Sequence, residues 1–428
     1  MEIGLLILIF ISYIRLSDIL IKFHGWPSLA QPFIALLFIG IIIQWLFFKR
    51  PAKGWGRAVL LVGAYGLIVF TSLLYAADFS QAAYAVGEFF KDGVITVMIV
   101  ILLRDGPVFR KVIWTLLLAG LFLGLLSVYQ YLTGSYGNEF FGFAQAPYLN
   151  IAGEINGNRL SGPIGDPNYY AHLMVVLIPL AFYRMIGEKK TIPKLVAGIA
   201  LAVITLTVIL TFSRGAFIAL GLIVLVGIIY RRPRFIEVLV VIVVGVLLLQ
   251  FMPKTYLDRI STITDIFKGT QNSTDVSFRG RTSELTAAWL MFIDHPIFGV
   301  GVQNYSVYYQ QYSRQIGLDP RVEARDPHDL FLQIAAETGI AGILVFGIVL
   351  WSIFNCVFQS WKQLQKAENK EYADMVFSFA LSLVGYLGAA LFIHAAYPRY
   401  FWLLTGIALA LPQVVENILN PNNREQND

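Results

Sequence analysis

His328 lies in ArgAspProHisAspLeuPheLeuGln, residues 325–333, where a polar stretch runs into an apolar one. An imidazole takes or gives a proton near neutral pH. The same polar stretch carries Arg279, Arg281, Arg314, Arg321 and Arg325. Guanidiniums keep their charge and hold phosphate oxygens bidentately. A titratable ring among fixed cations suits chemistry on an anionic lipid. The structural alternative is a histidine hydrogen-bonded to Asp326 or Asp329 at a helix start, where polar side chains cap free N–H groups.

Other residues could join that chemistry. Arg214, in ThrPheSerArgGlyAla (211–216), interrupts two apolar runs. Arginine at membrane depth is costly, so it is usually paired and functional, or else it snorkels to the interface. Gly215 beside it allows close approach of a ligand or a backbone. Arg279 and Arg281 stand at the start of an expected helix, whose free N–H groups favour anions. A solvated pair of charges is the plainer reading. In AsnArgLeuSerGlyProIleGlyAspProAsnTyrTyrAla (158–171), Arg159 could enter the anion site. Asp166 or Asn168 would orient it, or simply cap the next helix. His172 and His394 read as core residues and His295 as structural. Tyr305, Tyr308, Tyr309 and Tyr312 would stack on sugar or pack a small helical unit.

The elements that position these residues follow from composition. Of 428 residues, 57% are hydrophobic and 14% charged. A soluble domain carries ~25% charge. The apolar runs approach the ~20 residues that cross a bilayer. The chain therefore reads as an all-α polytopic membrane protein with about twelve transmembrane helices, over 3–21, 30–48, 58–77, 83–103, 112–132, 167–185, 195–211, 215–230, 235–252, 329–356, 375–394 and 400–416. The first run has neither a basic n-region nor a small-residue cleavage site, so it reads as a span.

Lys and Arg cluster in alternate short loops: Lys49, Arg50, Lys53, Arg57; Arg104, Arg110, Lys111; Arg184, Lys189, Lys190, Lys194; Arg231, Arg232, Arg234; Lys362, Lys366, Lys370. By the positive-inside rule these loops and both termini are cytoplasmic. Residues 1–252 then form nine spans with an outer loop at 133–166. Residues 253–328 form a large outer loop, 329–416 three more spans, and 417–428 a cytoplasmic tail. Within the large loop, Leu285, Ala288, Trp289, Phe292 and Ile293 share one face of an expected helix over 281–294. HisProIlePheGlyValGly (295–301) ends that helix, and the loop reads as a helical cap on the membrane face.

The sequence also excludes classes of chemistry. Cys356 is the one cysteine, so no intrachain disulfide forms. Walker-type phosphate loops, HisGluXaaXaaHis and paired-cysteine spacings, and AspXaaAsp pairs are all missing, so neither cofactor nor metal is expected. A net charge of +5, distributed by topology, does not point to nucleic acid.

With these pieces in hand, the chain resembles the O-antigen ligase and polymerase superfamily of bacterial envelope glycan assembly. The resemblance is carried by ArgLeuSerGlyPro…AspProAsnTyrTyrAla, SerArgGlyAla, the block 280–305 with AspHisProIlePheGlyValGlyValGlnAsnTyr, and ProHisAspLeuPheLeuGln…GluThrGlyIleAlaGly over 327–342. The last is similar to the ligase pattern of His, then Asn, Ser or Gln, then nine residues, then GlyXaaXaaGly. The chain departs from it at Asp329, where the pattern has an amide or hydroxyl.

The resemblance implies metal- and nucleotide-independent glycosyl transfer at the periplasmic face of the inner membrane. The donor would be a glycan on undecaprenyl diphosphate. The acceptor would be a sugar hydroxyl of lipid A–core for a ligase, another lipid-linked repeat unit for a polymerase, or a protein. It implies catalytic roles for His328, Arg214 and Arg281, with Arg279, Arg159, Arg325 and Asp329 binding substrate. A solute or bicarbonate transporter is the reading from another class, but it needs polar, broken midplane spans in repeated halves.

Overall fold

The computed structural model describes residues 1–48, 54–149, 157–231, 276–319, 324–394 and 399–420. The expected ninth span at 235–252, loop residues 253–275, Arg321 and the tail 421–428 lie outside the described residues, as do Lys49, Arg50, Lys53, Arg232 and Arg234.

The described chain is all-α apart from short turns and one antiparallel pair, β1 (Tyr148–Leu149) with β2 (Gly157–Asn158). The first half holds α1 (Glu2–Tyr13), α2 (Leu16–His24), α3 (Ala30–Phe48), α4 (Trp55–Thr71), α5 (Phe79–Leu102) and α6 (Gly106–Thr133). Next come α7 (Pro167–Val175), α8 (Leu177–Gly187), α9 (Thr191–Leu210) and α10 (Arg214–Arg231). The remainder is α11 (Val276–Asp294), α12 (Tyr305–Ile316), α13 (Leu330–Lys366), α14 (Lys370–Ala390) and α15 (Arg399–Leu419).

Among the described residues, eight helical stretches are long and apolar enough to cross a membrane, consistent with a multi-pass protein. Of the other four expected spans, three differ for a visible reason and one is untested. The run 3–21 is broken into α1 and α2, bent by 49°, with Arg15 in the left-handed region at the break. Helix α5 carries Glu88, Lys91 and Asp92. The apolar part of α10 is short, and 235–252 is the expected span outside the described residues.

Between the long helices, small residues and interhelical hydrogen bonds hold the contact, as expected where lipid removes the hydrophobic contrast. The Thr96 hydroxyl of α5 donates to the Trp402 carbonyl of α15 at 2.9 Å. Trp402 is fully buried against Phe89 and Tyr65, at ring-centroid distances of 5.0 and 5.7 Å.

The segment 296–301 is stitched into a break in α13. The break is at Gly339 (φ 62°, ψ −160°), where the helical ladder cannot continue. The freed carbonyls of Ala336 and Glu337 accept from the backbone N–H groups of Val300 (2.9 Å) and Gly301 (3.0 Å). In return Ile340 N–H donates to Pro296 O at 2.8 Å and Ala341 N–H to Ile297 O at 3.3 Å. Backbone groups removed from a helix must find partners elsewhere, and here they do. A Cβ on Gly339 would lie 2.5 Å from the Ile297 carbonyl group, and one on Gly299 would lie 2.5 Å from Ala336 O. HisProIlePheGlyValGly and ThrGlyIleAlaGly are thus two halves of one joint. Asn304 ties this joint to the loop before α5, its Oδ1 accepting from Asp78 N–H at 2.7 Å.

Helices α11 and α12 pack together and α11 packs on α13. The expected face of α11 is corrected in part. The buried side chains are Ser283, Glu284, Ala287, Ala288 and Met291, whereas Trp289 and Ile293 are exposed. On a helix beside a bilayer, small and polar groups can face protein while large apolar groups face outward. Tyr305, Tyr309 and Tyr312 are buried, so packing rather than display is their role in this structure.

Candidate functional site

Glu284 has a fully buried side chain and is the point around which the site assembles. Its carboxylate takes a hydrogen bond from His328 Nδ1 at 2.6 Å and another from Arg325 Nε. The backbone carbonyl of the same residue accepts from the Tyr305 hydroxyl at 2.7 Å. A buried carboxylate is tolerated only when paired and hydrogen-bonded. Burial alone would push Glu284 up, but the His328 bond and charge, with Arg325, outweigh it and hold the carboxyl below its usual range.

A carboxylate can only accept, so His328 Nδ1 carries a proton. In the neutral ring Nε2 is then the basic nitrogen. His328 and Arg325 side chains each remain 21% exposed, so the ring is fixed but reachable. The expected partners of His328 were Asp326 or Asp329; the partner is Glu284, distant in sequence. Asp329 instead caps α13, accepting from Leu332 N–H at 2.7 Å. Asn, Ser and Asp are near-equivalent as caps. The departure at Asp329 therefore carries little weight against the ligase pattern.

Arg281 lies one helical turn before Glu284, on the same side of α11, because residues three apart are neighbours on a helix. Arg281 and Arg279 are both half-buried, and Arg279 Nε is buried with no hydrogen-bond partner among the described residues. Arg159 is 2% exposed and bound to backbone. Its Nε donates to Thr211 O at 2.8 Å, and Nη2 to Asn168 Oδ1 at 3.1 Å and Phe212 O at 3.4 Å. It thereby shapes the turn before Arg214, in which Phe212 adopts a left-handed conformation (φ 54°). Asn168 orients Arg159, and Asp166 caps α7 by accepting from Tyr169 N–H at 2.7 Å.

Arg214 is the first residue of α10 and is half-buried. A Cβ on the adjacent Gly215 would come within 2.8 Å of Phe392, so this turn abuts the segment that ends at His394. The His394 ring in turn meets His328 edge-on, centroids 6.1 Å apart. The turn carrying Arg214, the helix carrying Arg281 and the start of α13 therefore converge on the 392–394 segment and His328.

Two participants escaped sequence reasoning. Glu284 carried a signal, since it is the one acid on the buried face of α11 and would demand cations. His394 read as core but borders a cavity of about 470 Å³ together with Gln333, Tyr169 and Arg399. His172, by contrast, is packed on Tyr386 at 4.2 Å, as a core residue. Among the described residues, no group of three or more His, Cys, Asp or Glu could hold a metal ion.

Residues 199–347 match the O-antigen ligase family. The matched segment contains Arg214, Arg279, Arg281, Glu284, Arg325 and His328, and both halves of the glycine joint. No curated protein matches the chain.

Proposed function

We propose that the protein is an O-antigen ligase-type glycosyltransferase of the bacterial inner membrane, acting at the periplasmic face with both termini in the cytoplasm. The observation that carries this reading is the Glu284–His328 pair, held at 2.6 Å between the helix that bears Arg279 and Arg281 and the segment that leads into α13.

In this reading a glycan linked to undecaprenyl diphosphate binds with its diphosphate near Arg214 and Arg281. Arg279 and Arg325 add positive potential. An acceptor hydroxyl approaches the anomeric carbon, with His328 Nε2 taking its proton as the new C–O bond forms. The bond from the anomeric carbon to the diphosphate oxygen breaks, and the polyprenyl diphosphate leaves with the electron pair. Preorganised guanidiniums stabilise the charge that develops on the leaving group, which is where electrostatic catalysis is strongest. Glu284 fixes the ring's tautomer and stabilises the imidazolium, as a carboxylate does behind other catalytic histidines. Arg159 acts indirectly, by holding the turn that presents Arg214.

The test is transfer by purified protein in nanodiscs, supplied with undecaprenyl-diphosphate glycan and lipid A–core, for wild type and His328→Ala. A product on lipid A–core that disappears in the variant is the expected result. A growing ladder on the lipid carrier would instead assign an O-antigen polymerase with the same site. Absence of any glycan product from active donor would overturn the transferase reading.

A further inference from the structure

A cavity of about 470 Å³ opens beside the His328 site, among the bend between α1 and α2, α5, the turn before α7, and the start of α15. Its size falls within the ~300–1,000 Å³ of small-molecule sites. His394 and Gln333 both line it. The 6.1 Å contact of His394 with His328 places its contents next to the proton acceptor. Neither Arg214 nor Arg281 lines it, and most of its wall lies outside the segment matched to the ligase family.

Its charges argue against a phosphate occupant. Arg15 is bound to Asp18 at 2.7 Å. Arg399 is shared by Asp92 (3.2 Å), Glu88 (3.6 Å) and Asp18 (3.8 Å). Both guanidiniums are therefore already neutralised, and Asp166 adds a further acid to the wall. An entering diphosphate would meet carboxylates it cannot displace cheaply, since like charges at close range repel and buried charges need their partners.

The same wall suits hydroxyl groups. Carboxylates accept from them, guanidiniums donate to them, and Tyr169 and Tyr400, with ring centroids 6.4 Å apart, offer apolar faces for ring C–H groups. His394 Nδ1 is buried and has no hydrogen-bond partner among the described residues.

We propose that this cavity is the acceptor pocket, and that it takes an uncharged sugar bearing free hydroxyls, one of which faces His328. The proposal rests on the transferase reading and adds to it a specificity. The donor's diphosphate is held on the arginine side, and the acceptor's terminal sugar is held by Glu88, Asp18 and His394 with no phosphate on it.

The test has two readouts on full-length protein in nanodiscs. The first is binding of neutral gluco-, galacto- and manno-configured disaccharides by saturation-transfer NMR, with inorganic pyrophosphate as competitor. The second is the separate KM values of donor and acceptor in the transfer assay. We expect at least one neutral disaccharide to bind wild type and to resist pyrophosphate. Glu88→Gln should weaken it about 10-fold, the loss of roughly one charged hydrogen bond. Acceptor KM should rise in parallel while donor KM stays unchanged. Asp18→Asn, on another helix, should do the same and covers the case in which Glu88→Gln misfolds. Binding by none of the disaccharides, displacement by pyrophosphate, or unchanged affinity and acceptor KM in both variants would each overturn the acceptor pocket. Wild type that binds the disaccharide but transfers no glycan would overturn the transferase reading alone.

Discussion

The substitution Glu284→Gln isolates the contribution of one charge at the centre of the site. The amide has nearly the volume of the carboxyl, so the fully buried position is filled without repacking. Two things change. The negative charge shared by Arg325 and His328 is lost, and the group facing Nδ1 can now donate as well as accept. Each charge-assisted hydrogen bond contributes about 1.5–3 kcal/mol. Breaking a buried ion pair costs ~3–5 kcal/mol, but Arg325 is 21% exposed and can re-solvate in part, which brings the stability loss toward the low end. The larger effect falls on rate. If the amide N–H faces Nδ1, the ring proton moves to Nε2 and the base is lost. Elsewhere the analogous carboxylate-to-amide change costs ~10⁴ in kcat. Here Tyr305 and α13 still fix the geometry, so a fall of roughly 10²–10⁴ in kcat is expected with little change in donor KM. The assay is single-turnover glycan transfer in nanodiscs across pH. Glu284→Asp, which keeps the charge but shortens the reach, should fall between wild type and Glu284→Gln. Wild-type kcat in Glu284→Gln, in protein with normal thermal stability, would refute the assignment of Glu284 as the group that sets the state of His328.

Further outcomes follow from the same geometry. Arg214→Ala and Arg281→Ala should insert normally but lose about 10²–10³ in kcat, the usual effect of removing one transition-state charge contact; normal turnover in either would remove that arginine from the site. Arg159→Lys should behave almost as badly as Arg159→Ala, because one ammonium cannot reach Thr211 O, Phe212 O and Asn168 together as the fork does; full activity with lysine would show that the turn holds itself. Gly339→Ala should prevent folding, since φ is positive and the Ile297 backbone lies in the way; a normally folded variant seen by size-exclusion chromatography would contradict the joint. The depressed Glu284 carboxyl contributes stability that is fully present above its unfolded-state pKa and is lost as pH falls through its folded value. Acid unfolding of wild type should therefore be blunted in Glu284→Gln, as followed by intrinsic fluorescence below about pH 5.

What could be read from the sequence divides along the range of the interactions involved. The all-α class and most helices were legible because they depend on local composition, and eight expected spans are seen as apolar helices. One helix start was legible too, since Asp166 announces a cap by residue type, whereas Asp329 reads in the sequence as a partner of His328 or of substrate and proves to be a cap. Contacts between distant segments were not. Nothing local says that 296–301 will enter a break in α13, although ProIlePheGlyValGly and ThrGlyIleAlaGly each carry a glycine that needs an explanation. The α11 face was misread for a physical reason. Helical periodicity locates the apolar stripe, but beside a bilayer the apolar stripe need not be the buried one. The signal that survives this inversion is the ionisable residue. Glu284, Glu88 and Asp92 are acids on helices where charge is costly, so each must have a cationic partner or a ligand. Glu284 has Arg325 and His328, and Asp92 and Glu88 have Arg399. In a membrane chain the acids on otherwise apolar faces are therefore better guides to a site than the apolar periodicity. They would have located both the Glu284–His328 pair and the cavity beside it.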